Sequence, residues 1–105
     1  MKRQGQMTVE ELKERLKNND PPFLLDIRAE EDYEQGTIEQ AVHSEKEEVV
    51  DLIREGKLPK DKDILVFCYN GQTSKQIVMV LILQGYSAYS LEKGIEGWRK
   101  YNNND

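Results

Sequence analysis

The sequence holds one cysteine, Cys68, which stands between an apolar run, Ile64-Leu65-Val66-Phe67, and a polar turn, Tyr69-Asn70-Gly71-Gln72-Thr73-Ser74. Beyond that turn the chain becomes apolar again over residues 77–83. A buried strand that hands over to a helix through a glycine-containing turn lets the backbone curl, so that amide N–H groups and the helix N-terminus converge on the sulfur. Both favour an anion. They lower the thiol below its free pKa of about 8.5 and enrich the thiolate, the form that acts as nucleophile. A lone cysteine closing a core strand also reads as a small buried hydrophobe. A Cys-x-x-Gly turn by itself says little, and the capped apolar helix that follows tips the reading toward a reactive thiol. One cysteine and one histidine, His43, are too few for an ordinary zinc site and exclude an internal disulfide, so no metal is expected and any redox chemistry is intermolecular.

In open α/β sheets, ligands bind at the carboxyl ends of the strands, which is where Cys68 lies if residues 64–67 form a central strand. The flanking sequence supplies such a sheet. Thr8-Val9-Glu10-Glu11 is a capping box that opens a helix with Val9, Leu12 and Leu16 on one face, and the pattern stops at Asn18-Asn19-Asp20-Pro21-Pro22. Phe23-Leu24-Leu25, leaving the Pro-Pro turn and ending in Asp26-Ile27-Arg28, reads as a buried strand. Residues 29–35 are polar and helix-compatible, closed by Gly36, and Ala41-Val42 is at best a short strand. Ser44-Glu45-Lys46-Glu47 predicts a second capping box before a helix whose apolar face is Val49, Val50, Leu52 and Ile53. The β-branched run at 77–83 suits strand or helix. Thr73-Ser74-Lys75-Gln76, read as a third capping box, and the stop at Gln84-Gly85 decide for a helix. Residues 86–91 then read as a strand with Tyr86, Ala88 and Ser90 alternating, and a last helix from about residue 95 sets Ile95, Trp98 and Tyr101 on one face. Strands alternating with helices at this spacing predict an α/β fold: a three-layer sandwich with a parallel sheet between helices. With no linker and no internal repeat, one domain over residues 1–105 is expected, ordered from about 8 to 101.

Composition narrows the partners. Of the 105 residues 33% are charged, against about a quarter in ordinary domains, and 37% are apolar, so the core is thin and the surface densely ionic. A net charge of -5, with no basic cluster beyond Met1-Lys2-Arg3, argues against a nucleic-acid partner, which would need a phosphate-neutralising face. No apolar run reaches the ~18–20 residues that span a bilayer, and the N-terminus lacks the apolar stretch of a signal peptide. A cytoplasmic protein with no membrane partner is expected.

The segment Val66-Phe67-Cys68-Tyr69-Asn70-Gly71-Gln72-Thr73-Ser74, followed by an apolar helix and Gln84-Gly85-Tyr86, resembles the active-site loop of rhodaneses, Cys-x-x-Gly-x-x-Ser. Leu24-Leu25-Asp26-Ile27-Arg28, then Asp32-Tyr33, Gly36, Ile38 and Ala41, is similar to the family's first signature, and Leu91-x-x-Gly94-x-x-x-Trp98 to its last. The resemblance runs from about residue 8 to 101. It implies a five-stranded parallel sheet and a double-displacement sulfurtransferase reaction. The Cys68 thiolate takes sulfur from a small anionic donor such as thiosulfate, and the persulfide passes it to cyanide, a thiol or a persulfide-exchanging protein acceptor. Amides of the loop residues Tyr69, Asn70, Gly71, Gln72, Thr73 and Ser74 would stabilise thiolate and persulfide alike. No cofactor is needed.

Thr73 stands where thiosulfate-using rhodaneses often carry a cation, and a hydroxyl there resembles the mercaptopyruvate-using branch. Lys75, just after the loop, is the candidate for a missing positive charge, or else simply solvated. Thr37, Gln40 and His43-Ser44 depart from the first signature. Asp26 and Arg28 match family positions near the site's edge, where an Asp–Arg arrangement also reads as a structural device that fixes loops. His43 reads as a hydrogen-bonding or surface residue. Two other functions compete with turnover. One is a fold-related phosphatase, which needs an arginine six residues after the cysteine, where this chain has Ser74. The other is a carrier or regulatory domain that binds a partner and hands over persulfide sulfur without efficient turnover.

Overall fold

Ile64, Leu65, Val66 and Phe67 are all fully buried, and this run of apolar side chains forms the central strand, with a neighbour on each side. The computed structural model describes residues 5–103; the basic pair Lys2-Arg3 lies outside them, as do Asn104 and Asp105. In chain order the elements are β1 (Gln6–Met7), α1 (Val9–Lys17), β2 (Phe23–Asp26), α2 (Glu30–Gln35), β3 (Val42–His43), a 3₁₀ turn (Lys46–Glu48) running into α3 (Val49–Arg54), β4 (Ile64–Phe67), α4 (Gln72–Leu83), β5 (Ala88–Leu91) and α5 (Gly94–Asn103). The sheet order is β1-β5-β4-β2-β3, with every pair parallel.

Alternation along the strands divides the core in two. Leu25, Ile64, Val66 and Ala88 face α3 and α4 and pack with Val49, Val78 and Leu81, whereas Leu24, Leu65, Phe67 and Leu91 face α1 and α5 and pack with Val9, Leu12 and Ile95. The predicted three-layer α/β sandwich is therefore the observed one. The same parity carries Cys68, two residues beyond Val66, onto the α3/α4 side. Trp98 and Tyr101 are half-buried against the α1/α5 core.

Local chemistry explains where the sequence reading holds and where it moves. The first capping box forms as expected: Glu11 N donates to Thr8 Oγ1 at 3.0 Å and Thr8 N to Glu11 Oε1 at 3.1 Å. The second forms one residue later, on Glu45 and Glu48, because Ser44 is buried at the sheet edge with its amide donating to Asp26 O at 3.0 Å. The third does not form. Gly71 is the N-cap of α4, Thr73 lies inside the helix, and the Ser74 side chain turns inward. β5 starts at Ala88 rather than at Tyr86, whose amide is used by Leu81 O at 3.0 Å to close the end of α4. β1 went unforeseen; its two residues are too few for any periodicity, and Ser90 N to Gly5 O and Glu92 N to Met7 O, each 2.8 Å, hold it to β5. Among the described residues no helix is long and apolar enough to cross a membrane.

Candidate active site at Cys68

Immediately beyond β4 the chain must reverse into α4, and it does so around the cysteine sulfur. Gly71 N donates to Cys68 Sγ at 3.2 Å and Ser74 N at 3.4 Å, with the Asn70 amide adding a third donor. Gly71 takes φ +95°, the left-handed conformation that glycine adopts without steric cost, and a Cβ there would stand 3.2 Å from Leu91 O. Asn70 Oδ1 accepts from Gln72 N at 3.1 Å and so braces the turn. The loop carbonyls face the other way: Ile95 N donates to Cys68 O at 2.9 Å and Glu96 N to Tyr69 O at 3.0 Å. Two helix N-termini thus divide the loop between them, α4 taking the sulfur and α5 the carbonyls.

Inside the loop, Ser74 Oγ lies 3.6 Å from Cys68 Sγ and 2.6 Å from Ser90 Oγ, and both serines are buried. Burial pushes the Cys68 thiol up, but the hydrogen bonds from the Ser74 hydroxyl and from the Ser74, Gly71 and Asn70 amides together outweigh it and hold the pKa below the ordinary thiol value. The thiolate fraction follows from that sign. Alkylation of Cys68 by iodoacetamide should level off at a lower pH than alkylation of an unstructured thiol, and at neutral pH a larger share of the protein should be reactive. A rate that climbs with pH in parallel with free cysteine would show an inert thiol.

A pocket of about 310 Å³ opens over the sulfur. Cys68 and Thr73 line it together with Arg28 and Asp32 from the segment after β2, Glu45 just before the 3₁₀ turn, and Lys46 and Glu47 within it. Among the described residues no three His, Cys, Asp or Glu side chains cluster to hold a metal ion.

A family model for the rhodanese-like domain matches residues 8–101. The chain belongs to the rhodanese-like domain family. A curated relative, thiosulfate sulfurtransferase GlpE of Pseudomonas syringae, is 38% identical over 77 residues, covering 72% of this chain and 71% of the relative. Among solved structures, a rhodanese-like domain from Anabaena superposes with a TM-score of 0.80 at 30% identity, covering 96% of this chain and 76% of that one. A rhodanese-like domain protein from Staphylococcus aureus superposes with a TM-score of 0.81 at 26% identity, covering 89% of each.

In this rhodanese-like domain the structure gathers Cys68, Asn70, Gly71 and Ser74 around one sulfur, with Thr73 at the pocket wall. Tyr69 and Gln72 are exposed, and the Tyr69 hydroxyl donates to Glu96 Oε2 at 3.1 Å, which raises the phenol pKa. Lys75 is exposed and lines a separate pocket, shared with Gly5, Gln6 and Met79, rather than the Cys68 pocket; the cationic residues that line the latter are Arg28 and Lys46. The sequence offered no direct signal for Lys46, since it sits in a charged run that reads as a solvated helix face.

Asp26 and Arg28 form a structural pair. Arg28 Nη2 donates to Asp26 Oδ2 at 2.8 Å and to Gly36 O at 2.7 Å, and Thr37 Oγ1 donates to Asp26 Oδ2 at 2.8 Å. Asp26 is fully buried and shares the α1/α5 face with Leu24, on the opposite side of the sheet from Cys68. Arg28→Ala would strand that carboxylate, so a loss of about 3–5 kcal/mol is expected in urea unfolding, with most of it recovered when Asp26→Leu and Arg28→Met are combined. A loss below about 1 kcal/mol for Arg28→Ala would show that the pair does not hold the loop. His43 acts as a hydrogen-bonding residue, with Nε2 2.7 Å from Arg28 O and its ring stacked on Tyr33 at 4.6 Å.

Proposed function

We propose that this domain moves sulfane sulfur from thiosulfate, or a related small anionic donor, to a thiol or cyanide through a persulfide on Cys68. The convergence of three amides on Sγ at the mouth of an open pocket carries the reading. The printed activity of the Pseudomonas relative, thiosulfate sulfurtransferase, supports it. In the first displacement the Cys68 thiolate attacks the outer sulfur of thiosulfate; the S–S bond of the donor breaks and sulfite leaves with its electron pair. In the second, an acceptor thiolate or cyanide attacks the outer persulfide sulfur and the Cys68 thiolate departs with the electrons of the broken bond. The thiolate begins and ends the cycle, and the same fixed donors serve it both times without reorganising. Lys46, rather than Arg28, is the cation for the donor's sulfonate oxygens, because the Arg28 guanidinium already donates to Asp26 and Gly36 O. No metal or cofactor enters either step.

A second reading has one observation in its favour. The pocket rim carries three carboxylic side chains, Asp32, Glu45 and Glu47, against Arg28, already paired to Asp26, and Lys46. Such a rim opposes a free dianion and suits sulfur delivered by a partner protein, so the domain would work as a persulfide carrier. Thiocyanate formation from cyanide separates the two. Steady turnover with thiosulfate or 3-mercaptopyruvate supports the enzyme. Slow turnover with both, together with rapid sulfur uptake from a persulfidated protein, supports the carrier, and failure of all three donors sinks both readings.

A further inference from the structure

Ser90 has no part in the chemistry above, yet its hydroxyl touches the Ser74 hydroxyl, which in turn touches the Cys68 sulfur. We propose that Ser90 is a positioning residue of the Cys68 site: its hydroxyl donates to Ser74 Oγ and thereby commits the Ser74 proton to the Cys68 sulfur. Ser74 has one hydroxyl proton and two neighbours for it, Cys68 Sγ at 3.6 Å and Ser90 Oγ at 2.6 Å. A thiolate can only accept, so Ser74 must donate to it, and the short contact between the serines then requires Ser90 as donor. Ser74 is 0% and Ser90 1% exposed, which leaves bulk water no access to replace either partner.

When the sulfur carries a proton the direction reverses: Sγ–H donates to Ser74, and Ser74 donates to Ser90. The pair therefore has two orientations, one for each protonation state of Cys68. The orientation that ends on an anion is the stronger, because charge-assisted hydrogen bonds are about twice as strong as neutral ones and polarise the bonds behind them. Ser90 thus favours the thiolate without touching it. The topology supplies the contact: β5 lies beside β4, and Ser90 shares with Ala88 the face toward α4, so the last inward position of β5 meets the first turn of that helix. The charged residues lining the pocket over the sulfur are Arg28 and Asp32 after β2, Glu45 just before the 3₁₀ turn, and Lys46 and Glu47 within it.

The importance of this contact for sulfur transfer rests on the Cys68 reading above, but its test does not need turnover. Cys68 alkylation by iodoacetamide is followed against pH in the wild type, Ser90→Ala and Ser90→Thr. Ser90→Ala should move the midpoint upward by about half a pH unit, slowing alkylation about threefold below it, while the limiting rate at high pH, where all of the sulfur is thiolate, stays unchanged. Ser90→Thr keeps the hydroxyl and should hold the wild-type midpoint. An unmoved midpoint in Ser90→Ala overturns the proposal. So does a fall in the limiting rate with no change of midpoint, which would mark a purely structural role. If the midpoint moves as expected but the wild type accepts no sulfur from any donor, the sulfurtransferase reading fails and the role of Ser90 stands.

Discussion

Cys68→Ser should reduce thiocyanate formation by at least about a thousandfold while changing the unfolding free energy by no more than about 1 kcal/mol. A serine hydroxyl stays protonated where the thiol ionises, so the nucleophile disappears and no other side chain lining the pocket can form a persulfide. The fold survives because serine is close to cysteine in volume and its oxygen can accept from the same Gly71 and Ser74 amides. Cys68→Ala is the instructive contrast. It removes the acceptor from buried donors and should cost about 1–3 kcal/mol more than the serine variant. Activity retained in Cys68→Ser would end the covalent mechanism.

Gly94→Ala should unfold the site rather than trim it. A Cβ at position 94 would stand 2.5 Å from Tyr69 O and 2.6 Å from Cys68 O, and those oxygens are backbone that is already bonded to the first amides of α5. Relieving the clash means moving the loop away from α5, which releases both carbonyls and swings the amides off the sulfur. The backbone at φ +58° adds the left-handed penalty. Together these should cost about 2–4 kcal/mol and remove most sulfur transfer. Gly56→Ala separates the two causes. That glycine is also left-handed, at φ +67°, but nothing lies within 4 Å of its Cβ position. It should lose only about 1–2 kcal/mol and keep its activity. Equal losses in the two variants would mean that the contact between α5 and the loop carries no weight.

These expectations also mark what could be read before the structure. The run Ile64-Leu65-Val66-Phe67 was legible because a strand buried on both faces must be apolar at every position, and Cys68 was legible as the residue that ends it. The first capping box was legible because both of its side chains reach the backbone amides they cap. Thr73-Ser74-Lys75-Gln76 misled for the converse reason: these residues lie within α4, after its N-cap Gly71, and its first amides are already used, Gln72 N by Asn70 Oδ1 and Ser74 N by the Cys68 sulfur. Lys75 drew attention through its distance in sequence from Cys68, but helical geometry turns it away from the pocket, and Lys46 arrives from a different element. Ser90 was visible as one of three alternating residues. Its contact with Ser74 depends on which strand lies beside β4, and no local pattern carries that information. β1 was hidden because it exists only through pairing with β5.

The most direct test is the intact mass of the reduced protein after brief exposure to thiosulfate, followed by peptide mapping and then by cyanide. The expected result is the addition of one sulfur atom, located on Cys68, lost on treatment with cyanide and absent in Cys68→Ser. Folded wild-type protein that gains no sulfur from thiosulfate, 3-mercaptopyruvate or a persulfide donor would contradict sulfur transfer through Cys68.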